Sequence, residues 1–320
     1  MNLNFYYTIK KNGGFWCFIM LKKIFFLLLG LTSIVILGSV FYFGKIYFDI
    51  KSTANNTYKT VERIPVLENY NSNEAFSVLL LGVDNGDLNR NDVGRTDTMI
   101  VGTVNPKNSQ IKLVSIPRDT YVEIVGRSKK DKINHAYAFG GASMSIATVE
   151  KLLDIPIDYY VEMNLKGLKE LVDVVGGIEV NNPFSFFYEK TYFSIGKLYL
   201  NGESALKYSR MRYEDPEGDY GRQKRQQKII EGISNKFKSI NTLANYNHIL
   251  DTIRENIKTD IPWNDMYAIF VKNKLPFFKV ESKYLMGEEF LGDGIEGENG
   301  ISYQQINEKE LHEIQDFLKF

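Results

Sequence analysis

The chain has 320 residues, with 39 basic and 39 acidic side chains, so its formal net charge at neutral pH is zero. Neutrality removes the bulk electrostatic attraction on which most nucleic-acid binding depends, and no nucleic-acid partner is expected. The single cysteine, Cys17, excludes a disulfide framework and a cysteine-based zinc site, and the three histidines lack metal-ligand spacing. Any anion binding must therefore come from a local cluster of charges.

An apolar run near the N-terminus, residues 24–44, contains no charged side chain. A helix of this length is about 30 Å long, enough to cross the hydrocarbon core of a bilayer. Lys22 and Lys23 precede the run, so the positive-inside rule predicts a cytoplasmic segment 1–23, a single membrane span and an extracytoplasmic remainder. A cleaved signal peptide is the alternative, but the run is too long and the only cleavage-like site, at Ala54, is too distant. Met20 is an alternative start.

The polar segment 45–74 predicts an extracytoplasmic stalk, and regular patterning begins at Ala75. Periodicity and turn signals predict strands at 76–84, 97–105, 111–119, 159–163 and 177–181, and helices at 142–153, 165–177, 200–212 and 221–238. This alternation predicts an α/β fold with a mixed central β-sheet flanked by helices, over a main domain 75–240. The remainder, 241–320, predicts further helices and one strand near 277–285, as a C-terminal extension packing on the same domain.

Charged side chains stand where three predicted strands end or begin: Asp84 after the first, Arg95 and Asp97 at the second, Arg118 and Asp119 after the third. Strand ends and their loops are where open α/β sheets bind ligands. Turn capping explains a lone aspartate, but several convergent strand ends with both signs of charge favour a site. Two carboxylates, Asp84 and Asp97, suit Mg²⁺, which also takes phosphate oxygens and water.

A second cluster of charges lies in residues 208–227, YSRMRYEDPEGDYGRQKRQQ. On one regular helix Arg210 and Arg212 would point about 200° apart, so both reach one ligand only if the helix ends near Tyr208. Pro216 and Gly218 agree with such a break.

The next predicted helix carries Arg222, Arg225 and Gln226 on one face. Arginine forks suit phosphate oxygens, so these residues join Arg210 and Arg212 as candidate phosphate ligands. A solvated surface is the alternative, and it is the interpretation we adopt for Lys224 and Lys228.

Six motifs in this order, behind an N-terminal anchor, resemble the LytR-CpsA-Psr family: GVD…GRTDTM, SIPRDT, DKINHAYAFGG, LVDVVGGIEV, LNGESALKYSRMR and GDYGRQKRQQ. The resemblance covers about residues 75–240. It implies an enzyme at the cell membrane of a Gram-positive-type bacterium, with its catalytic domain outside. Such enzymes move a glycopolymer (teichoic acid, capsule or a related glycan) from a polyprenyl-pyrophosphate carrier to peptidoglycan through a phosphodiester.

The resemblance also implies site residues. Mg²⁺ is expected at Asp84 and Asp97, and pyrophosphate at Arg95, Arg118, Arg210, Arg212 and Arg222. The expected partners are the lipid-linked glycopolymer, peptidoglycan and membrane lipid. Asp119 is either a proton acceptor or a salt-bridge partner that locks Arg118, and the second is favoured. Asp219 is expected to orient Arg222 or Arg225 or to fix the loop, and His135 is interpreted as a packing or hydrogen-bonding residue.

Three functional alternatives remain at this point. A pyrophosphatase would use the same residues with water as the acceptor, so products formed with and without peptidoglycan distinguish it. A membrane-associated transcriptional regulator is opposed by the anchor's orientation and the neutral charge. A non-catalytic glycan-binding protein does not need so many arginines and aspartates. A lipid donor also needs an apolar slot, and the helical faces around 152–177 would either line one or form the core.

Overall fold

The computed structural model describes residues 3–62, 74–84, 94–237, 245–293 and 299–320. It has two compact units, Met1–Ser52 and Thr53–Phe320. Helix α1 (Leu3–Thr57) contains the apolar run. Among the described residues, α1 includes the one helical segment, Leu27–Thr57, that is long and apolar enough to cross a membrane.

The second unit contains fourteen strands and seven further α-helices in its described part. The strands are β1 (Phe76–Asp84), β2 (Arg95–Asn105), β3 (Gln110–Ile116), β4 (Tyr121–Ile124), β5 (Lys129–Lys132), β6 (Tyr159–Asn164), β7 (Ile178–Asn182), β8 (Phe186–Tyr188), β9 (Thr191–Phe193), β10 (Gly196–Leu200), β11 (Ile257–Thr259), β12 (Lys279–Tyr284), β13 (Glu288–Gly292) and β14 (Ile301–Gln305). The helices are α2 (His135–Leu153), α3 (Leu165–Val174), α4 (Gly202–Arg210), α5 (Asp219–Phe237), α6 (Tyr246–Asn256), α7 (Trp263–Tyr267) and α8 (Glu308–Leu318).

Six strands form a central mixed sheet in the order β11-β6-β1-β2-β3-β12. Strand β1 pairs antiparallel with β2 and parallel with β6, and β3 pairs antiparallel with β2 and parallel with β12. The predicted α/β fold with a mixed central sheet is therefore confirmed. Because β1 and β2 are adjacent and antiparallel, the last residue of β1 and the first residue of β2 lie side by side at the same end of the sheet, where Asp84 is paired with Arg95.

The two faces of β1 have different surroundings. Leu79, Leu81 and Val83 are buried in a core that includes α2 and α8. The alternate residues from Val78 to Asp84 are only partly buried, as the two-residue period of a strand allows. The continuous apolar run thus belongs to a strand with one fully covered face and one partly open face.

The predicted strands of the main domain agree with the observed ones to within three residues at every end. Beyond residue 240 the strand predicted near 277–285 is present as β12, and the described residues contain three further strands, β11, β13 and β14, that were not predicted. Strands β11 and β12 are the two edges of the central sheet. The last part of α1 also differs from the predicted polar stalk. Thr53 and Thr57 are buried, and Thr53 Oγ1 accepts a hydrogen bond from Arg254 Nη2 over 3.1 Å.

Candidate active site

Two cavities lie along the open side of the central sheet. The charged cavity has a volume of about 650 Å³, and its lining includes Asp84, Arg95, Asp97, Arg118, Asp119, Lys132, Asn134, His135 and Arg210. The apolar cavity has a volume of about 350 Å³, and its lining includes Leu80, Ile100, Val161, Met163, Leu165, Leu168, Ile229 and Ile230. Asp97, Arg118 and Arg210 line both, so the cavities adjoin at a charged junction.

Arg118 and Asp97 form an ion pair at this junction. Arg118 Nη1 lies 2.6 Å from Asp97 Oδ1. Burial alone lowers the pKa of Arg118, but the carboxylates of Asp97, Asp119 and Asp219 outweigh it and raise that pKa. Arg118 therefore stays charged, and its buried Nε has no hydrogen-bond partner among the described residues. A cation with an unused donor suits an anionic ligand.

Asp119 is surrounded by cations. Lys132 Nζ donates to Asp119 Oδ1 over 2.7 Å, while Oδ2 lies 3.7 Å from Arg118 Nε and 3.9 Å from Arg212 Nη1. Burial raises the pKa of Asp119, but Lys132, Arg118 and Arg212 outweigh burial and hold the pKa below its usual value. A carboxylate stabilised in its charged form is a weak proton acceptor. The geometry thus agrees with Asp119 as a salt-bridge partner that positions the arginines.

The chain separates Arg210 from Arg212 by ending a helix between them. Helix α4 ends at Arg210, and Met211 has extended dihedral angles of φ −58° and ψ 136°. The helix ends two residues after Tyr208 and two before the end of the predicted helix 200–212, and the break has the predicted effect. Arg210 and Arg212 both line the apolar cavity near its charged junction.

Arg222 and Gln226 reach the same cavity from α5. Arg222 Nη2 lies 2.8 Å from Asp219 Oδ1, but the two atoms are not aligned for a hydrogen bond. Arg222 Nε and Nη2 are buried without a hydrogen-bond partner among the described residues. Burial and the charge of Arg118 lower the pKa of Arg222, while Asp219 opposes them. Buried donors without a hydrogen-bond partner are costly, so two such donors beside a cavity suit an anionic ligand.

Arg225 does not line either cavity, and its predicted role as a phosphate ligand is not supported by its position. Its side chain is 2% exposed and is paired with Asp215, and it donates to the backbone carbonyls of Tyr208 and Met211. These contacts hold the end of α4 and the loop that follows it. Arg225 shares a face of α5 with Arg222, but the folded-back loop that carries Asp215 engages only Arg225.

The lysines of α5 differ from each other. Lys224 pairs with Glu217 near the surface, as expected of a solvated residue. Lys228 also lies near the surface, where it donates to the Asn181 carbonyl over 2.8 Å, so it is a surface residue with one backbone contact. Asp219 lies near Arg212 and Arg222, at 4.0 Å and 2.8 Å respectively, which agrees with an orienting role toward Arg222.

Asp84 and Asp97 bring two carboxylates to the charged cavity from adjacent antiparallel strands. Among the described residues no group of three or more His, Cys, Asp or Glu side chains is placed to hold a metal ion. Mg²⁺ is commonly held by only one or two carboxylates together with substrate phosphates and water. The donor set therefore fits Mg²⁺ shared with a phosphate ligand, rather than a site made of protein alone.

Two titratable side chains of the charged cavity, Lys132 and His135, were not identified as site residues from the sequence. Lys132 reaches Asp119 because β5 pairs with β4, and Tyr121 lies opposite Lys132 in that hairpin. His135 lines the charged cavity at the first position of α2. Both lie in the DKINHAYAFGG motif, whose place beside SIPRDT in the sequence was the available signal.

An arginine-rich cavity that adjoins an apolar cavity defines an α/β protein suited to a molecule with an anionic head and an apolar tail. The chain belongs to the LytR_cpsA_psr family, whose model matches residues 44–319. The match extends well beyond the six motifs, into the C-terminal strands.

Relatives and solved structures agree with this assignment. The chain is 50% identical over 299 residues to polyisoprenyl-teichoic acid–peptidoglycan teichoic acid transferase TagU of Enterococcus faecalis, covering 93% of this chain and 97% of that protein. It resembles a crystal structure described as a transcriptional regulator from Enterococcus faecalis, with 43% identity, a TM-score of 0.66, and 78% and 89% coverage of this chain and that one. It also resembles TagT bound to LI-WTA, with 30% identity, a TM-score of 0.64, and 80% and 94% coverage.

Proposed function

We propose that the chain is a membrane-anchored phosphotransferase that moves a teichoic acid from a polyprenyl-pyrophosphate carrier to peptidoglycan. The observation that carries the proposal is the junction of the two cavities, where Asp97, Arg118 and Arg210 line both. A lipid pyrophosphate needs an apolar channel that leads directly to a cluster of cations. The 50% identical relative is named a teichoic acid transferase of this kind, and TagT is described as bound to LI-WTA.

The arginines would hold the pyrophosphate at the junction. Arg118 and Arg222 carry buried donors without hydrogen-bond partners among the described residues, and Arg210 and Arg212 extend from the end of α4. Phosphoryl transfer depends mostly on positioning and on neutralising charge, which several arginine forks achieve together. Arg95, at the first position of β2, would contact the part of the donor that lies in the charged cavity.

Asp84 and Asp97 would hold Mg²⁺ beside the same phosphates. The metal would supply charge neutralisation, and it would turn two mutually repelling carboxylates into ligands. Asp97 would serve twice, since it also pairs with Arg118. Asp119 and Lys132 would keep Arg118 and Arg212 in place from the side of the charged cavity.

The apolar cavity would take the polyprenyl chain. Its wall includes Val161 and Met163 from β6 and Leu165 and Leu168 from α3, a region that the sequence placed either at a slot or in the core. Burial of apolar chain surface there stabilises binding by about 25 cal/mol per Å². The bound tail would hold the pyrophosphate against the arginines, so binding of the tail would also orient the reacting phosphate.

In the reaction, a peptidoglycan hydroxyl oxygen would attack the phosphorus that carries the glycan. The bond from that phosphorus to the bridging oxygen would break, and polyprenyl phosphate would leave. The test is transfer by the full chain in lipid vesicles, using a lipid-linked teichoic acid donor with and without peptidoglycan. A phosphodiester-linked product supports the proposal. Release of free glycan phosphate at the same rate with and without peptidoglycan would instead identify a pyrophosphatase.

The membrane arrangement belongs to the same proposal. The uncharged run and its preceding lysines support a single uncleaved span with residues 45–320 outside the cell. Protease added to intact protoplasts should remove the domain. Complete protection of the domain in intact protoplasts, with digestion after lysis, would contradict this arrangement and favour a cytoplasmic regulator.

A further inference from the structure

The clearest unexplained feature of the charged cavity is a buried carboxylate behind a histidine. Asp131 Oδ2 lies 2.5 Å from His135 Nδ1, and the Asp131 side chain is 3% exposed. The other carboxylate oxygen, Oδ1, accepts from the backbone N–H of Lys132 over 2.8 Å and from Tyr303 Oη over 3.1 Å. A buried aspartate with three donors is a fixed support for the histidine.

These contacts determine which nitrogen of His135 carries the proton. Burial raises the pKa of Asp131, but its contacts with His135, the Lys132 N–H and Tyr303 outweigh burial and lower it, so the carboxylate is ionised. An ionised carboxylate only accepts hydrogen bonds, so Nδ1 carries a proton. In the neutral ring Nε2 is then the acceptor. The ring is 16% exposed, lines the charged cavity, and meets the Phe139 ring edge-on at 6.0 Å.

His135 also stands at the first position of α2. Other charges line the same cavity and act on the ring: the cations Arg95, Arg118, Lys132 and Arg210, and the carboxylates Asp84, Asp97 and Asp119. The contact between Asp131 Oδ2 and Nδ1 holds the ring in place among these charges.

We propose that His135 is the general base of the transfer reaction and that Asp131 and Tyr303 are its positioning residues. The inference rests on the proposed function. The acceptor hydroxyl gives its proton to His135 Nε2 as its oxygen bonds to the phosphorus that carries the glycan. The phosphorus–oxygen bond to the carrier breaks, and polyprenyl phosphate leaves with the electron pair. The imidazolium then returns its proton to the leaving phosphate or to water.

Asp119 is less suited to this task. Lys132, Arg118 and Arg212 lie around both of its oxygens and lower its pKa. Taking a proton would break the contacts that position the arginines. His135 can accept a proton without disturbing them.

The first experiment uses the full chain in vesicles with the lipid-linked donor and peptidoglycan. His135→Gln should lower kcat by about 10²- to 10⁴-fold while donor KM changes little, as expected for loss of a general base. In His135→Ala, added imidazole should restore part of the transfer, which a purely structural role does not predict. His312→Gln is the matched control, because His312 is exposed on α8 and lines neither cavity.

A second measurement keeps the ring in place. In a chain with His248 and His312 replaced by Gln, 2-fluorohistidine at position 135 lowers the ring's basicity without altering its size. The acidic limb of the pH–rate profile should then move to lower pH. Wild-type kcat in His135→Gln, or an unmoved acidic limb, would overturn the inference while the unmodified chain still transfers. Failure of the unmodified chain to transfer would instead count against the proposed function.

Discussion

Arg118 Nη1 lies 2.6 Å from Asp97 Oδ1, and both side chains line the charged cavity and the apolar cavity at once. The pair therefore occupies the one place where a lipid pyrophosphate would change from apolar tail to charged head. Each side chain of the pair is 26% exposed, so the pair itself contributes little to stability. Mutation of this pair should therefore affect transfer much more than it affects folding.

Arg118→Ala should reduce transfer much more than it reduces stability. Loss of a charge-assisted contact to phosphate is expected to lower kcat by about 10²- to 10³-fold, whereas the free energy of unfolding should fall by about 1 kcal/mol or less. Transfer rates and urea unfolding measure the two effects. Arg254→Ala is the matched control, because Arg254 is also ion-paired, at 2.9 Å from Asp251, but lines neither cavity. Equal transfer by both variants would remove Arg118 from the site.

Asp84→Asn should weaken the dependence of transfer on Mg²⁺. The substitution removes one proposed metal ligand and leaves the Asp97–Arg118 pair in place, so it separates metal binding from arginine positioning. Transfer measured against Mg²⁺ concentration should show a higher half-saturating concentration than the wild type. Asp97→Asn should show the same shift together with a lower maximal rate. Identical curves for all three proteins, or full activity after chelation, would mean that the aspartates are structural.

Two arginines three residues apart should differ in their effect on stability. Arg225→Met leaves Asp215 buried without its partner, which is expected to cost about 3–5 kcal/mol in the free energy of unfolding. Arg222→Met should cost clearly less, because Asp219 keeps a hydrogen bond from Gln223 and the substitution removes two buried donors that lack hydrogen-bond partners. Denaturant unfolding of the two variants measures the difference. The opposite order would show that Arg222 has the structural role.

Leu168→Asp should weaken the binding of long-chain donors. The substitution removes the apolar contact that Leu168 would make with the polyprenyl chain and places a charge beside that chain. Donor KM should therefore rise by about 10- to 100-fold. A donor with a short, water-soluble chain should be affected much less. Leu291→Asp is the control, because Leu291 is 72% exposed. An equal effect on short and long donors would show that the polyprenyl chain binds elsewhere.

The domain should lose stability in acid partly through Asp119. Its pKa in the folded protein is below its usual value, so its contribution is fully present above the unfolded-state pKa of about 3.9 and is lost as the pH falls through the folded-state value. In Asp119→Asn the free energy of unfolding should therefore fall less steeply below about pH 4 than in the wild type. Unfolding curves between neutral and acid pH test this, and parallel slopes would contradict it.

The sequence predicted the centre of the sheet because β1 and β2 each contain an apolar run, with charges at the end of β1 and the start of β2. It predicted β12 within 277–285, but it did not predict β11, because that strand has only three residues and is defined by its pairing with the distant β6. The arginines were identified by type and spacing. The sequence could not show that Arg222 lines a cavity while Arg225 is buried in a structural ion pair, because this difference depends on how the loop carrying Asp215 folds back. Tyr303 and Asp131 are 172 positions apart, so their contact had no sequence signal.

Strand β1 also fixes the distance between two parts of the site. Leu80 and Asp84 lie on the same side of it, so the apolar wall and the proposed metal ligand are separated by about 13 Å of rigid backbone. Insertion or deletion of one residue between them would turn Asp84 toward the core and Val83 toward the ligand. Under the proposed function, the distance from the apolar wall to the reacting phosphate would thus be set by the backbone of one strand. A change in carrier length would have to be accommodated at the far end of the apolar cavity.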